Sequence, residues 1–126
     1  MRLVVLALEN GITNVVLAGR MDIEGADSVD LQFSVIAGAK KKVLVDLSQV
    51  TLMSSLGLRT LAMSAKAIAN KGGKMVIVGP QPSVEKILKS SGVDTLIPVV
   101  RDTQAASEIF LPREKNPLIW SRSDLP

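Results

Sequence analysis

The sequence predicts a single α/β domain in which helices flank a mixed β-sheet. Apolar, β-branched segments alternate with segments whose apolar residues recur at helical spacing. An Asn10-Gly11 pair near the amino terminus adds an antiparallel hairpin to this parallel β-α-β pattern. The length of 126 residues fits one domain, since most domains contain roughly 100–150 residues. The expected order of elements is β-β-α-β-α-β-α-β-α.

The first two strands are predicted at Leu3–Leu8 and Ile12–Ala18, on either side of the Asn10-Gly11 turn. Both turn residues tolerate a positive φ, so the strands should pair antiparallel. A helix is expected over about Gly25–Ala39, because the apolar residues of this segment fall on one helical face.

Two further segments resemble strands that are covered on both faces of a sheet. Val43–Leu47 and Lys74–Gly79 are almost continuously apolar, as buried parallel strands usually are. The helix between them is expected to run to about Asn70 and to end at Lys71-Gly72-Gly73, where glycine supplies a left-handed cap.

The last elements are a third helix opened by Pro80-Gln81-Pro82-Ser83, a short strand at Leu96–Val100 and a final helix. Pro98 cannot donate a ladder hydrogen bond, so the short strand should lie at an edge of the sheet. Asp102 or Thr103 is expected to cap the final helix.

The domain is predicted to span residues 1–111, and residues 112–126 to form an extended or partly ordered tail. Prolines interrupt this polar stretch, which carries the only tryptophan, Trp120. Packing of Trp120 on its own domain is favoured over a role in binding a partner.

The composition excludes several classes of function. The chain contains no His, Cys or Tyr, which rules out metal sites built on imidazole or thiolate and Ser-His-Asp or Cys-His nucleophiles. We therefore expect no metal, no cofactor and no enzyme activity. A net charge of +3 is too small to indicate nucleic-acid binding. No apolar run reaches the roughly 18–20 residues of a membrane span, and a cytoplasmic protein is expected.

The segment Met53-Ser54-Ser55-Leu56-Gly57 stands out as a candidate functional turn. Serine caps a helix by accepting hydrogen bonds from the amides of its first turn, and those amides also favour an anion. A simple pair of capping serines remains an equally good interpretation of the residues alone. The turn follows the central strand, where parallel sheets place their functional loops.

Three segments follow one another in an informative order: Leu17–Asp22, Val43–Val50 and Leu52–Arg59. Together they resemble the STAS family, the domain shared by sulfate transporters and bacterial anti-sigma-factor antagonists. The first resembles the end of the family's second strand, and the second resembles its central strand. The third resembles its signature, an apolar pair followed by Asp or Ser and then Ser-x-Gly-Leu. The resemblance covers about residues 3–110.

The resemblance implies a protein-docking module and a STAS-like fold. Antagonists of this family bind an anti-sigma factor, a serine kinase of the histidine-kinase-like ATPase type, and thereby free a sigma factor. The kinase phosphorylates a hydroxyl residue of the signature, which breaks the complex. The residues that the resemblance places at the partner-binding surface are Asp22, Met53, Ser54, Ser55, Leu56, Gly57 and Leu58.

The chain departs from the family at the usual phosphoacceptor, the position just before the signature glycine, which is Leu56 here. Either Ser55 or Ser54 accepts the phosphate, with Ser55 favoured, or the module is not switched in this way. Asp22 matches an acidic position near the docking face, and a structural role at the strand end is equally expected.

Two other functions stay open at this stage. Leu56 favours a STAS subunit of a transport or scaffold assembly that phosphorylation does not control. A nucleotide-binding or small-molecule-sensing module depends only on the anion-friendly helix start. The sequence leaves the oligomeric state open, including a homo-oligomer.

Overall fold

The computed structural model describes residues 1–110, which form one five-stranded sheet with helices on both faces. The strands are β1 (Arg2–Ala7), β2 (Thr13–Met21), β3 (Lys42–Met53), β4 (Lys74–Val78) and β5 (Val99–Val100). The helices are α1 (Ile23–Ala39), α2 (Ser55–Asn70), α3 (Pro82–Ser90), α4 (Val93–Leu96) and α5 (Thr103–Phe110).

The sheet is mixed, and its spatial order β1-β2-β3-β4-β5 follows the chain. β1 pairs antiparallel with β2, whereas the other neighbours pair in parallel. The predicted hairpin and the predicted α/β class are therefore confirmed. β5 lies at one edge of the sheet, as Pro98 indicated.

The hairpin closes through one short 3-10 turn, Glu9–Gly11, rather than through a two-residue turn. Asn10 and Gly11 have φ values of 64° and 74°, the left-handed conformation for which these residues were singled out. The residue pair of the β1–β2 ladder that lies next to the turn is Ala7 with Thr13.

Two apolar clusters hold the helices to the sheet. The larger one packs α1 to α4 against one face, where Phe33 and Leu61 meet strand residues such as Val45. The smaller one packs α5 against the other face, where Phe110 and Leu44 belong to the same cluster. The expectation that helices cover both faces of the parallel strands is confirmed.

Several predicted boundaries are wrong. β3 does not end at Leu47 but runs 12 residues to Met53, because it keeps pairing with β2 across two register shifts. α1 begins at Ile23 instead of Gly25, and the segment expected to begin a strand at Leu96 instead ends the short helix α4. Four residues are too few for a helical period to be visible in the sequence.

The predicted tail, residues 112–126 with Trp120, lies outside the described residues, as does the proposed boundary at residue 111. Within residues 1–110, no helix is both long enough and apolar enough to cross a membrane.

Candidate functional site

Two helices begin side by side at the carboxyl ends of β2 and β3. The backbone N–H of Ser54, just before α2, donates a hydrogen bond of 2.8 Å to the carbonyl oxygen of Met21, just before α1. The strands end in register, since Met21 pairs with Met53. The turn singled out in the sequence thus lies beside the start of α1, at one edge of the sheet.

The residue just before each helix caps its first turn with a side-chain oxygen. The Oδ1 atom of Asp22 accepts a hydrogen bond of 2.8 Å from the Gly25 N–H, and the Oγ atom of Ser54 accepts one of 3.1 Å from the Gly57 N–H. The second carboxylate oxygen of Asp22 lies 3.5 Å from the Arg20 guanidinium. Asp22 therefore has a structural role, while its contact with a partner stays a prediction.

The two serines of the turn differ in what their hydroxyl groups are doing. Ser54 is half-buried, and its oxygen is engaged as the helix cap. Ser55 is the first residue of α2 and is exposed. The geometry thus leaves the Ser55 hydroxyl open to solvent, in line with the preference for Ser55 over Ser54 as the acceptor of a phosphate. Phosphorylation itself stays a prediction.

Met53 and Gly57 lie beneath the turn rather than on its surface. The Met53 side chain is only 5% exposed and belongs to the larger core cluster. A Cβ atom added to Gly57 would collide with Met21 and would lie 2.8 Å from the Met53 sulfur. The placement of Met53 on the docking surface is therefore wrong for its side chain. The glycine is needed because the protein's own methionines approach it closely.

The apolar side chains near the turn differ in how far they are exposed. Leu56 and Leu58 are half-buried against the core, so no open patch forms around them and Met53. Ile23, the first residue of α1, is instead 70% exposed. Sequence reasoning missed Ile23 because it placed the helix start two residues too late. The cap at Asp22 is the signal that would have corrected this.

The described residues offer no cluster of metal ligands at this edge of the sheet. Residues 1–110 contain no group of three or more His, Cys, Asp or Glu side chains that could hold a metal ion. The arrangement of an exposed hydroxyl, two capped helix starts and an exposed isoleucine resembles a contact surface.

Comparison with known proteins agrees with this geometry. A family model described as "STAS domain" matches residues 4–106. BtrV of Bordetella bronchiseptica, named as a candidate anti-sigma factor antagonist, is 29% identical over 111 residues, which cover 86% of this chain and 90% of that protein. The anti-sigma F factor antagonist of Paenibacillus polymyxa is 28% identical over 91 residues, covering 71% of this chain and 78% of the relative.

A solved structure shares the fold. The crystal structure of an anti-sigma factor antagonist from Mycobacterium paratuberculosis superposes with a TM-score of 0.76 at 22% identity. The match covers 86% of this chain and 92% of that one. At this identity the likeness supports the fold alone.

Proposed function

The chain belongs to the STAS domain family, and from this premise we propose that it is an anti-sigma-factor antagonist. It would bind an anti-sigma factor through the edge of the sheet where α1 and α2 begin, and so control transcription that depends on a sigma factor. The similarity to BtrV and to the Paenibacillus antagonist supports the class of partner. The observation that carries the surface is the exposed Ser55 beside the capping Ser54 at the start of α2.

The proposal extends to the type of partner and to the cellular compartment. We propose that the partner is a serine kinase of the histidine-kinase-like ATPase type and that the protein works in the cytoplasm. We propose further that the chain is not an enzyme and needs no cofactor, because it lacks His, Cys and Tyr. We also propose that the chain can form a homo-oligomer.

We propose that the partner phosphorylates Ser55 and that this breaks the complex. A phosphate adds roughly −1.5 to −2 charges at neutral pH. At the first position of α2 the helix tolerates that charge, since the positive end of its dipole lies there. The docking surface, with the apolar Ile23 on the neighbouring helix start, would instead lose affinity.

The test is a matched pair of charge substitutions, with binding to the anti-sigma kinase of the same genome measured by calorimetry. Ser55→Asp should weaken the complex at least tenfold. Thr103→Asp is the control, because Thr103 is also the exposed first residue of a helix, on the opposite face of the sheet. Equal effects of both substitutions, or none, would contradict the proposed surface.

The acceptor itself can be identified by incubating the protein with that kinase and ATP and locating the phosphate by mass spectrometry. We expect one phosphate on Ser55, lost in Ser55→Ala and retained in Ser54→Ala. Phosphate on Ser54 in the unaltered protein would overturn the assignment.

One observation favours a second function, a docking module that phosphorylation does not control. Leu56 occupies the position where the family usually carries its acceptor, and Leu56 has no hydroxyl. A subunit of a transport or scaffold assembly would then bind its partner equally well with and without ATP. Retained binding without any phosphate on the turn would select this function.

A further inference from the structure

The two edges of the sheet are protected very differently. β5 is only two residues long and follows Pro98, and both features discourage another strand from pairing with it. β1, at the other edge, is six residues long, and within residues 1–110 it pairs only with β2. Its outer row of backbone N–H and C=O groups is therefore a template for one more strand.

β1 lacks the usual devices that block such pairing. From Leu3 to Leu8 the sequence contains no charged residue, no proline and no glycine. Val4, Val5 and Leu6 are 37%, 48% and 46% exposed. Soluble proteins ordinarily place charges, prolines or bulges on a strand of this length and polarity.

We propose that β1 is a self-association surface, on which the β1 strand of a second copy of this chain pairs antiparallel across a two-fold axis. The two sheets would then join into one continuous sheet of ten strands. The proposal is independent of the docking function assigned to the start of α2.

The side chains of β1 favour the β1 strand of a second copy as the pairing strand. They also favour one register for that pair. Opposite residues on neighbouring strands point to the same face, so a symmetric antiparallel pair must be centred on one residue. Centred on Val5, it places Val5 opposite its own copy, Val4 opposite Leu6 and Leu3 opposite Ala7. Every pair is then apolar, and the exposed side chains cover one another.

Charge supports the same arrangement. Arg2 is the only charged residue of β1. In the antiparallel pair centred on Val5, the two Arg2 side chains lie at opposite ends of the interface, beyond the paired residues. A parallel pair would place them side by side, and a pair centred on Val4 would bring each arginine inside the paired strand, opposite Leu6.

The interface would be small and its formation reversible. A single pair of short strands buries less than about 1,200 Å², the lower limit for specific interfaces, so the dimer should depend on concentration. Pairing uses up the β1 edge of each copy, and the short β5 edge discourages pairing, so association should stop at the dimer.

The first test measures molar mass by light scattering over a range of protein concentrations. The unaltered chain should pass from monomer to dimer, and Val5→Lys should remain monomeric, because a charge on the outer strand opposes pairing. The control is Val35→Lys, an exposed apolar position on α1. A monomer at all concentrations, or a dimer lost only in Val35→Lys, would overturn the proposal.

The second test does not depend on whether Val5→Lys folds. The chain contains no cysteine, so a single introduced thiol reports one position. Directly opposite residues have Cα atoms about 4.5–5.5 Å apart, within the range of a disulfide. Val5→Cys should therefore cross-link to its own copy under a mild oxidant such as oxidised glutathione.

Leu6→Cys is the matched control for this cross-link. In the register centred on Val5, the two Leu6 positions are displaced along the strands and lie about 8 Å apart, beyond the reach of a disulfide. Cross-linking of Leu6→Cys as fast as Val5→Cys would contradict the register. Failure of both variants to cross-link would contradict the interface, without bearing on partner binding at the start of α2.

Discussion

The start of α2 and the outer strand β1 are built in opposite ways. At the adjacent starts of α1 and α2, the side-chain oxygens of Asp22 and Ser54 accept hydrogen bonds from backbone amides, and Met53 lies buried beneath the turn. On β1, valines and a leucine are exposed instead. Beside this strand, the Oδ1 atom of Asn14 is buried and has no hydrogen-bond partner in the described part of the chain.

The difference shows which surface residues can change without cost to the fold. The turn is stabilised by the Ser54 helix cap and by the buried Met53 side chain. Its exposed Ser55 is therefore available for binding and modification. The edge has unpaired backbone groups and apolar side chains in solvent, so another strand would complete it. Substitutions beneath the turn should therefore cost most, and substitutions on β1 should mainly affect association.

The largest effect is expected from removing the support beneath the turn. Met53→Ala should lower the free energy of unfolding by about 2–5 kcal/mol, because truncation of a buried methionine leaves a cavity. Leu52→Ala, next in the chain but 37% exposed, should cost less than about 1 kcal/mol. Urea unfolding of both variants measures the difference, and equal losses would contradict the burial of Met53.

A smaller loss is expected where the methionines approach the backbone of α2. In Gly57→Ala, the gain in helix propensity is about 1 kcal/mol, whereas crowding of Met21 and Met53 costs about 1–3 kcal/mol. The net destabilisation, measured by thermal unfolding, should lie between about 0 and 2 kcal/mol. Gly38→Ala in α1 has nothing within 4 Å of the new methyl group and should be stabilising instead. A stabilised Gly57→Ala would show that the methionines move aside freely.

The helix cap should account for about 1 kcal/mol. Ser54→Ala removes the oxygen that accepts from the Gly57 N–H, which costs about 0.5–2 kcal/mol in comparable caps. Ser55→Ala removes an exposed hydroxyl and should change stability by less than about 0.5 kcal/mol. Chemical denaturation of the two variants tests whether the Ser54 side chain stabilises the fold and the Ser55 side chain does not. The reverse ranking would exchange their roles.

The smallest effect is expected beside β1. Asn14→Leu replaces a buried amide with an unpartnered oxygen by an apolar side chain of similar size, and it should raise the free energy of unfolding by up to about 1 kcal/mol. Asn14→Asp has the same shape but adds a charge, and it should destabilise the protein. A loss of stability in Asn14→Leu would indicate that the amide has a structural role.

The sequence predicted the hairpin, the two buried parallel strands and the edge position of β5, because each depends on local residue types. It misplaced the side chains at the ends of β2 and β3. Their pairing shifts register twice, between Val16 and Ala18 and between Gly19 and Arg20. Each such shift changes which face a side chain points to, and strand pairing is not visible in local periodicity.

The same limit explains the mixed result at the candidate site. The capping role of Ser54 follows from residue type and position, and so does the position of Ser55 at a helix start. Whether Met53 or its neighbour Leu52 points outward depends on the register with β2, and the sequence shows only two adjacent apolar residues. Ile23 follows from a helix start that is assigned from its cap, and the sequence shows Asp22 equally as a surface carboxylate and as a residue at the strand end.

The contact of Gly57 with two thioethers gives the turn a sensitivity to oxidants. Met21 is fully buried and Met53 nearly so, and both lie against the helix start. Conversion of either sulfur to a sulfoxide would place a polar, rigid group where a flexible apolar chain now fits. Because both side chains are buried, peroxide should reach them only when the structure around them opens. The rate at which the two methionines oxidise should therefore measure how often the fold opens around this turn.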